Sequence, residues 1–467
     1  MTRTDAQRLK LKRRELTQAE LDRIVDRHEL FVDKKSGGAR AMLKLADLSG
    51  LDLTDRNLTG ADMTGARLQG SKLRGVRLNQ AILYAADFTE ADMVACEMRR
   101  ADLRGACLRR ANLTDAILNE ADLRCGLLYA LDEKGNLAPH MDLTGATDLS
   151  DAVLRGIQAA GSNFKGALVV ETDMTDARLR GAKLPGADLS GAILTGARLE
   201  GANLADANLT GARLTGAVLS RATLHGVKLD GADLLCAVLD EVDLSRVDLS
   251  RAGVARSHDQ LDRTVAEIVL DHHKWISSGG TQGARADFSR VDMTGMDLRG
   301  VNLSAADMSY AILKRSVLAD AQLLMTNLSF ADLREADLTR TDLRGANLAR
   351  ANLAGAVMLR TDLSPVPIYG SSIRNWQSDL TRARLNGVQA EGAKFPEANM
   401  AEADLSDADL RRCDFTRTRL TKAELAGADV RNANFIRAEI SGTALAAIPE
   451  IAADAAPPPP TDLTGDA

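Results

Sequence analysis

The chain has 467 residues, of which 45% are hydrophobic but only 3% aromatic, so a large core is available and must be aliphatic. With 59 Lys and Arg against 65 Asp and Glu, the net charge of −6 marks neither a polycation nor an acidic polymer. No apolar run approaches the ~20 residues of a membrane span, and Cys96, Cys107, Cys125, Cys236 and Cys413 show no paired spacing, which argues against a disulfide framework and a zinc site.

Residues 1–16 carry six Lys or Arg against two acids and read as a basic flexible arm. They lack the apolar stretch of a secretory signal, so a cytoplasmic location is expected. An amphipathic helix follows, with a Thr17-x-x-Glu20 capping box, apolar positions at Leu21, Ile24, Val25, His28, Phe31 and Val32, and the pair Gly37-Gly38 as its expected stop. From Leu43 to Leu128 every fifth residue is Leu, Met or Phe. Residues 129–142 interrupt this run as a loop, and the period resumes one residue out of phase from Leu149 to Val254. A second helix is expected after a Ser257-x-x-Gln260 box, with Val265, Ile268, Val269, His272, Trp275 and Ile276 matching the first helix and Gly279-Gly280 at its end. The period returns from Phe288 to Leu363, weakens through Ile368 and Ile373, breaks at a loop over 364–379, and runs again from Leu380 to Leu445. Residues 449–467, with the run Pro457 to Pro460 and no base, read as a disordered tail.

A period of five matches neither the 3.6 of a helix nor the 2 of a flat strand, so each pentapeptide must hold its own corner. In a unit such as Ala101-Asp102-Leu103-Arg104-Gly105, alternation turns the Ala and Leu inward and the Asp outward, and the last two residues turn the chain. Gly at the second turn position, as at Gly60, Gly65, Gly105, Gly181 and Gly186, suits a positive φ. Four corners close a coil of twenty residues. Successive coils then stack outward acids on bases in columns such as Asp47/Arg67/Asp87 and Asp52/Lys72/Asp92. Arg56 takes an inward Ala position, which is tenable only beside a capped end. Ala159 and Ala390 replace the central Leu, and Phe164 and Phe395 follow five residues later to fill the space.

The segments Ala101-Asp102-Leu103-Arg104-Gly105 and Ala202-Asn203-Leu204-Ala205-Asp206 resemble the A(D/N)LXX consensus of the pentapeptide-repeat proteins. That resemblance implies an all-β solenoid, a right-handed quadrilateral β-helix. It leaves activity open, because the family includes DNA-mimicking gyrase protectors as well as effectors. The repeated helix and the match of Asp148–Ala159 to Asp379–Ala390 read as a tandem duplication. The expected layout is two halves, 17–254 and 255–448, each preceded by a capping helix.

No catalytic constellation, phosphate loop or metal-ligand spacing is legible, so no catalytic, cofactor or metal residue is assigned and no enzyme is expected. His272, with its counterpart His28, reads as a cap histidine bonding a carbonyl of the first coil, while His140, His225 and His258 are isolated. Residues 41–128 hold 12 basic and 12 acidic side chains, a balance that removes the unneutralised carboxylate surface a DNA mimic needs. Nucleic acid is not expected as a partner. The leading reading is a non-enzymatic, bacterial-type scaffold that binds a protein partner, and the alternative is a DNA-mimic-like modulator of DNA gyrase or topoisomerase. Candidate partner contacts are the non-repetitive Tyr129, His140, Trp275, Tyr369 and Trp376.

Overall fold

The computed structural model describes residues 13–126, 129–131, 137–139, 145–369 and 374–447. They form two compact units, divided between Gly253 and Val254. Within each unit the chain is a four-sided coil whose faces are single-residue parallel bridges between positions twenty apart, as in Asp47↔Arg67 and Arg67↔Asp87. Leu48 N–H donates to the Arg67 carbonyl at 2.7 Å, and Arg67 N–H donates to the Ala46 carbonyl at 2.8 Å.

The repeat residues each have a visible task. Most Leu and Ala positions of both units are buried and form one continuous core per unit, with Leu239, Leu244 and Leu249 at the end of unit 1 only partly covered. At each corner the Leu carbonyl accepts from the amide three residues on, as in Leu51 N to Leu48 O at 3.1 Å. The outward Asp accepts from the amide two residues on, as in Ser49 N to Asp47 Oδ1 at 3.1 Å and Thr54 N to Asp52 Oδ1 at 2.9 Å. The Asp or Asn of the motif is thus the device that makes the corner. The second corner residue is left-handed whether or not it is Gly: Gly60 has φ 72° and Ala95 has φ 56°. Where a Thr or Cys takes the inward Ala position, its hydrogen goes to a neighbouring coil's carbonyl, as in Thr341 Oγ1 to Leu318 O at 2.8 Å and Cys413 Sγ to Ala390 O at 3.0 Å.

Residues 13–16 correct the expected free arm. Strand β1 (Arg14–Glu15) pairs in parallel with β2 (Ala46–Asp47), and Leu16 is buried. The first coil offers an unpaired strand edge, and this segment covers it. Residues 1–12 lie outside the described residues. Helix α1 (Gln18–Val32) carries the expected Thr17–Glu20 capping box. Its stop differs from expectation: Lys34, with φ 56°, turns the chain, and Lys35 N bonds Leu30 O at 2.8 Å. Gly38 is instead needed where the chain presses on the helix, since an added Cβ would lie 2.4 Å from Phe31 N.

The expected loop 129–142 is a larger insertion. Strands β3 (Tyr129–Leu131) and β4 (Leu137–Pro139) form an antiparallel hairpin, and Gly126 bridges Gly145 at its base. Thr147 re-enters the coil; its hydroxyl lies 2.8 Å from the carbonyl of Arg124, where the chain left.

In unit 2, strand β5 (Arg256–Ser257) precedes the second helix. The Ser257-x-x-Gln260 box does not start that helix: Ser257 caps a 3-10 turn at His258–Gln260. Helix α2 (Val265–Ser277) begins later, with a capping box formed by Thr264 and Glu267. Leu261, with φ −75° and ψ 145°, breaks the earlier turn, and the helix restarts at Thr264, where Glu267 completes a reciprocal capping box. Gly279, at φ 63°, ends α2 as expected. Strand β6 (Val291–Asp292) pairs with β5.

Ile368 does not continue the third run. It belongs to β7 (Val366–Ile368), which pairs with β8 (Arg374–Trp376) in a second antiparallel hairpin. Ile373 lies outside the described residues. The coil resumes at Ser378, whose hydroxyl lies 2.8 Å from the Leu363 carbonyl, and Asp379, expected in the loop, already bridges Asn347.

Candidate interaction surfaces

Among the described residues, the two most exposed aromatic rings, Tyr369 and Trp376, lie on the β7–β8 hairpin. Trp376 donates its indole N–H to the carbonyl of Gly345 at 3.0 Å. A Cβ on Gly345 would lie 3.0 Å from both Trp376 Cδ1 and Val366 Cγ2, so the glycine admits the hairpin onto the coil. Trp376 is held by this contact and still 55% exposed, and Tyr369, which follows Ile368 at the far end of β7, is 78% exposed. These two of the five candidate residues share one hairpin. Trp275 lies on α2, stacked on His272 at 5.5 Å. Tyr129 lies in β3, and His140 falls outside the described residues.

A second surface was missed in the sequence. Arg290, Tyr310, Phe330 and Arg350 occupy the same corner of successive coils. Tyr310 and Phe330 stack at 5.0 Å, Arg290 lies over the Tyr310 ring, and Arg350 lies over the Phe330 ring, each at 5.7 Å. Comparing corner residues at a spacing of twenty, rather than core residues at five, would have found it.

The acids are engaged rather than displayed. Outward carboxylates accept corner amides, and many also meet a base two, eighteen or twenty residues away. Arg104 pairs with Asp102 at 2.7 Å and Asp122 at 3.8 Å, and Arg340 pairs with Asp320 at 2.6 Å. The hydrogen bond from Arg431 holds Asp429 down at about 2. Burial pushes the thiols of Cys96 and Cys413 up to about 12, so neither is a nucleophile at neutral pH. Among the described residues, no three His, Cys, Asp or Glu side chains are placed to hold a metal, and no helix is long and apolar enough to cross a membrane.

The Pentapeptide repeats family model matches residues 41–119, 142–252, 284–364 and 378–446. The chain belongs to the pentapeptide-repeat family. Members of this family fold as right-handed quadrilateral β-helices and are generally non-enzymatic structural repeat proteins. Among solved structures, the chain is similar to QnrB1, a plasmid-mediated fluoroquinolone resistance protein, with 20% identity over 40% of this chain and 82% of that one, TM-score 0.32. It is similar to Rfr23 of the cyanobacterium Cyanothece 51142, with 29% identity over 30% of this chain and 91% of that one, TM-score 0.22. It is also similar to HetL of Nostoc sp. strain PCC 7120, a pentapeptide-repeat protein involved in heterocyst differentiation regulation, with 22% identity over 91% of this chain and 96% of that one, TM-score 0.12. Among curated protein sequences, none matches this chain.

Proposed function

We propose that this chain is a non-enzymatic cytoplasmic scaffold of bacterial type, built by tandem duplication of a helix-capped pentapeptide-repeat solenoid, and that it binds a protein partner through the β7–β8 hairpin. The observation that carries this reading is Trp376, fixed by its bond to Gly345 yet more than half exposed, with the exposed Tyr369 on the same hairpin. A pre-positioned aromatic residue loses little side-chain freedom on binding, which is the property of an interface anchor.

The paired charges weigh against the DNA-mimic reading, because a mimic competes for a basic groove with carboxylates that bases have not already neutralised. The discriminating experiment captures partners from a bacterial extract with the full chain and with Tyr369→Ala and Trp376→Ala variants, and measures DNA gyrase supercoiling in parallel. A partner lost with either variant and retained in high salt supports the scaffold. Gyrase inhibition that disappears on reversing Asp87, Asp92 and Asp102 would replace it with the mimic.

A further inference from the structure

We propose that His28 and His272 are acid-sensitive latches on the two cap helices, and that the cap of unit 2 opens first as pH falls. Both rings are fully buried. The backbone N–H of Ala41 donates to His28 Nδ1 at 3.0 Å, so the proton of the neutral ring sits on Nε2 and is donated to the Thr59 carbonyl at 3.1 Å. The same pair recurs in unit 2, with Ala286 N–H to His272 Nδ1 at 3.0 Å and His272 Nε2 to the Ser304 carbonyl at 3.1 Å.

An imidazolium carries a hydrogen on both nitrogens. In the closed cap the second hydrogen would point at an amide N–H and find no acceptor. The charges acting on the rings are those of Arg40 and Glu29 at His28, and of Arg285 and His273 at His272, while Asp271, next to His272 in the chain, is paired with Arg263 and Lys274. Burial first, then Arg40 or Arg285, holds each ring below the ordinary histidine value, against the opposing pull of the bonded carbonyls and, at His28, of Glu29. His258, on the turn before α2, is a contrast in geometry: its Nδ1 faces the Asp292 carbonyl and its Nε2 lies 3.4 Å from Asp259, so each nitrogen has an oxygen opposite it.

The sign follows from linkage. A ring released from the coil titrates near 6.5, whereas the bound ring resists protonation. The latch is therefore at full strength above about 6.5 and weakens as pH falls, by up to tenfold per pH unit until the bound ring itself protonates.

The order of opening comes from what else holds each helix. On α1, Asp26 and Glu29 bond Arg56 of the coil, with Asp22 3.8 Å away, and Gln18 exchanges two hydrogen bonds with the backbone of Asp52. At the corresponding places in unit 2 stand Ala266, Leu270, His273 and Val301. They line an open apolar groove of about 540 Å³ in place of the ion cluster.

Hydrogen exchange of the full chain, followed by mass spectrometry from pH 7.5 to 5 and corrected for intrinsic rates, tests this. Protection over 268–276 should fall at least tenfold, protection over 21–32 should fall less, and residues 303–363 should hold. His272→Gln, whose amide can accept from Ala286 and donate to Ser304 without titrating, should flatten the profile of α2. An equal acid loss in H272Q, or none in the wild type down to pH 5, would overturn the proposal. Should H272Q leave the cap open at every pH, the imidazole resonance of wild-type His272 decides. Titration near 6.5 while α2 stays protected would refute the latch, and absence of titration while α2 is closed would support it.

Discussion

Glu29 and Arg56 meet across the cap of unit 1, with Arg56 Nε 3.1 Å from Glu29 Oε1, and the same oxygen accepts the amide of Asn57 at 2.9 Å. Burial alone would raise the Glu29 pKa, but the bonds from Arg56 and Asn57 outweigh it and hold the carboxyl below its usual range. Arg56 stands where the repeat places an inward Ala, and the helix above supplies the acids that make this tolerable.

Arg56→Ala restores the repeat residue yet should destabilise unit 1, because Asp22, Asp26 and Glu29 are left facing one another without their cation. Discounted for partial exposure, the loss should be about 1–2 kcal/mol and should shrink in high salt. Thermal unfolding at two ionic strengths checks it, and a variant as stable as the wild type would show that the cluster is inert.

The interior makes a second prediction. Ala159 and Phe164 are both fully buried, as are Ala390 and Phe395. If each Phe fills the space left by its Ala, Phe164→Leu should cost more than Phe88→Leu, where no small neighbour precedes it, by ~1 kcal/mol or more. In unit 2 the fit is reinforced, because Phe415 stacks between Phe395 and Phe435 at 5.1 and 5.0 Å. Phe415→Ala should therefore be among the most damaging single changes, at about 3–5 kcal/mol. Denaturant titrations of the three variants give the ranking.

Corner conformation separates backbone strain from packing. Gly60, at φ 72°, has nothing within 4 Å of the place an added methyl would occupy, so Gly60→Ala creates no clash and should still cost about 1–2 kcal/mol through its left-handed backbone alone. Ala95, exposed and at φ 56°, is the reciprocal case. Ala95→Gly should be neutral or stabilising by up to ~1 kcal/mol, since relief of strain opposes the greater freedom of the unfolded chain. A lowered melting temperature for Gly60→Ala with an unchanged or raised one for Ala95→Gly would support a conformational origin.

Unit 2 offers a test of the duplicated layout. A polypeptide of residues 255–448 should fold alone, with β-type circular dichroism and a single cooperative transition, because its core is closed by its own helix and coils. An aggregated or unfolded product would mean that the layout fails and that unit 2 depends on unit 1.

Much of this was legible because a coil of single-residue bridges repeats one local instruction. Leu at every fifth position fixes the inner lining, and Asp or Asn before it makes the next corner, so the faces and the column Asp47/Arg67/Asp87 follow from counting alone. The second helix start was not legible, because Ser257-x-x-Gln260 and Thr264-x-x-Glu267 are both capping boxes and only the extended Leu261 backbone decides between them. The hairpins hid for a related reason: Ile368 keeps the period by chance while pairing outside the coil. The stack of Tyr310 on Phe330 was hidden because its residues occupy turn positions that the five-residue pattern leaves unspecified.

Thr147 and Ser378, the residues at which the coil resumes after each hairpin, have a practical meaning. Each hydroxyl reaches back to the carbonyl at the point of departure, Arg124 or Leu363, and the coil then continues with its faces in line, Cys107 on Asp148 and Asn347 on Asp379. A corner so fastened is a port: the register of the layers above and below is held by the corner itself and not by the length of what passes between its two sides. The segment between Leu363 and Ser378 is therefore a natural place to graft a foreign peptide for display, or a second binding module, on a scaffold whose register is already locked.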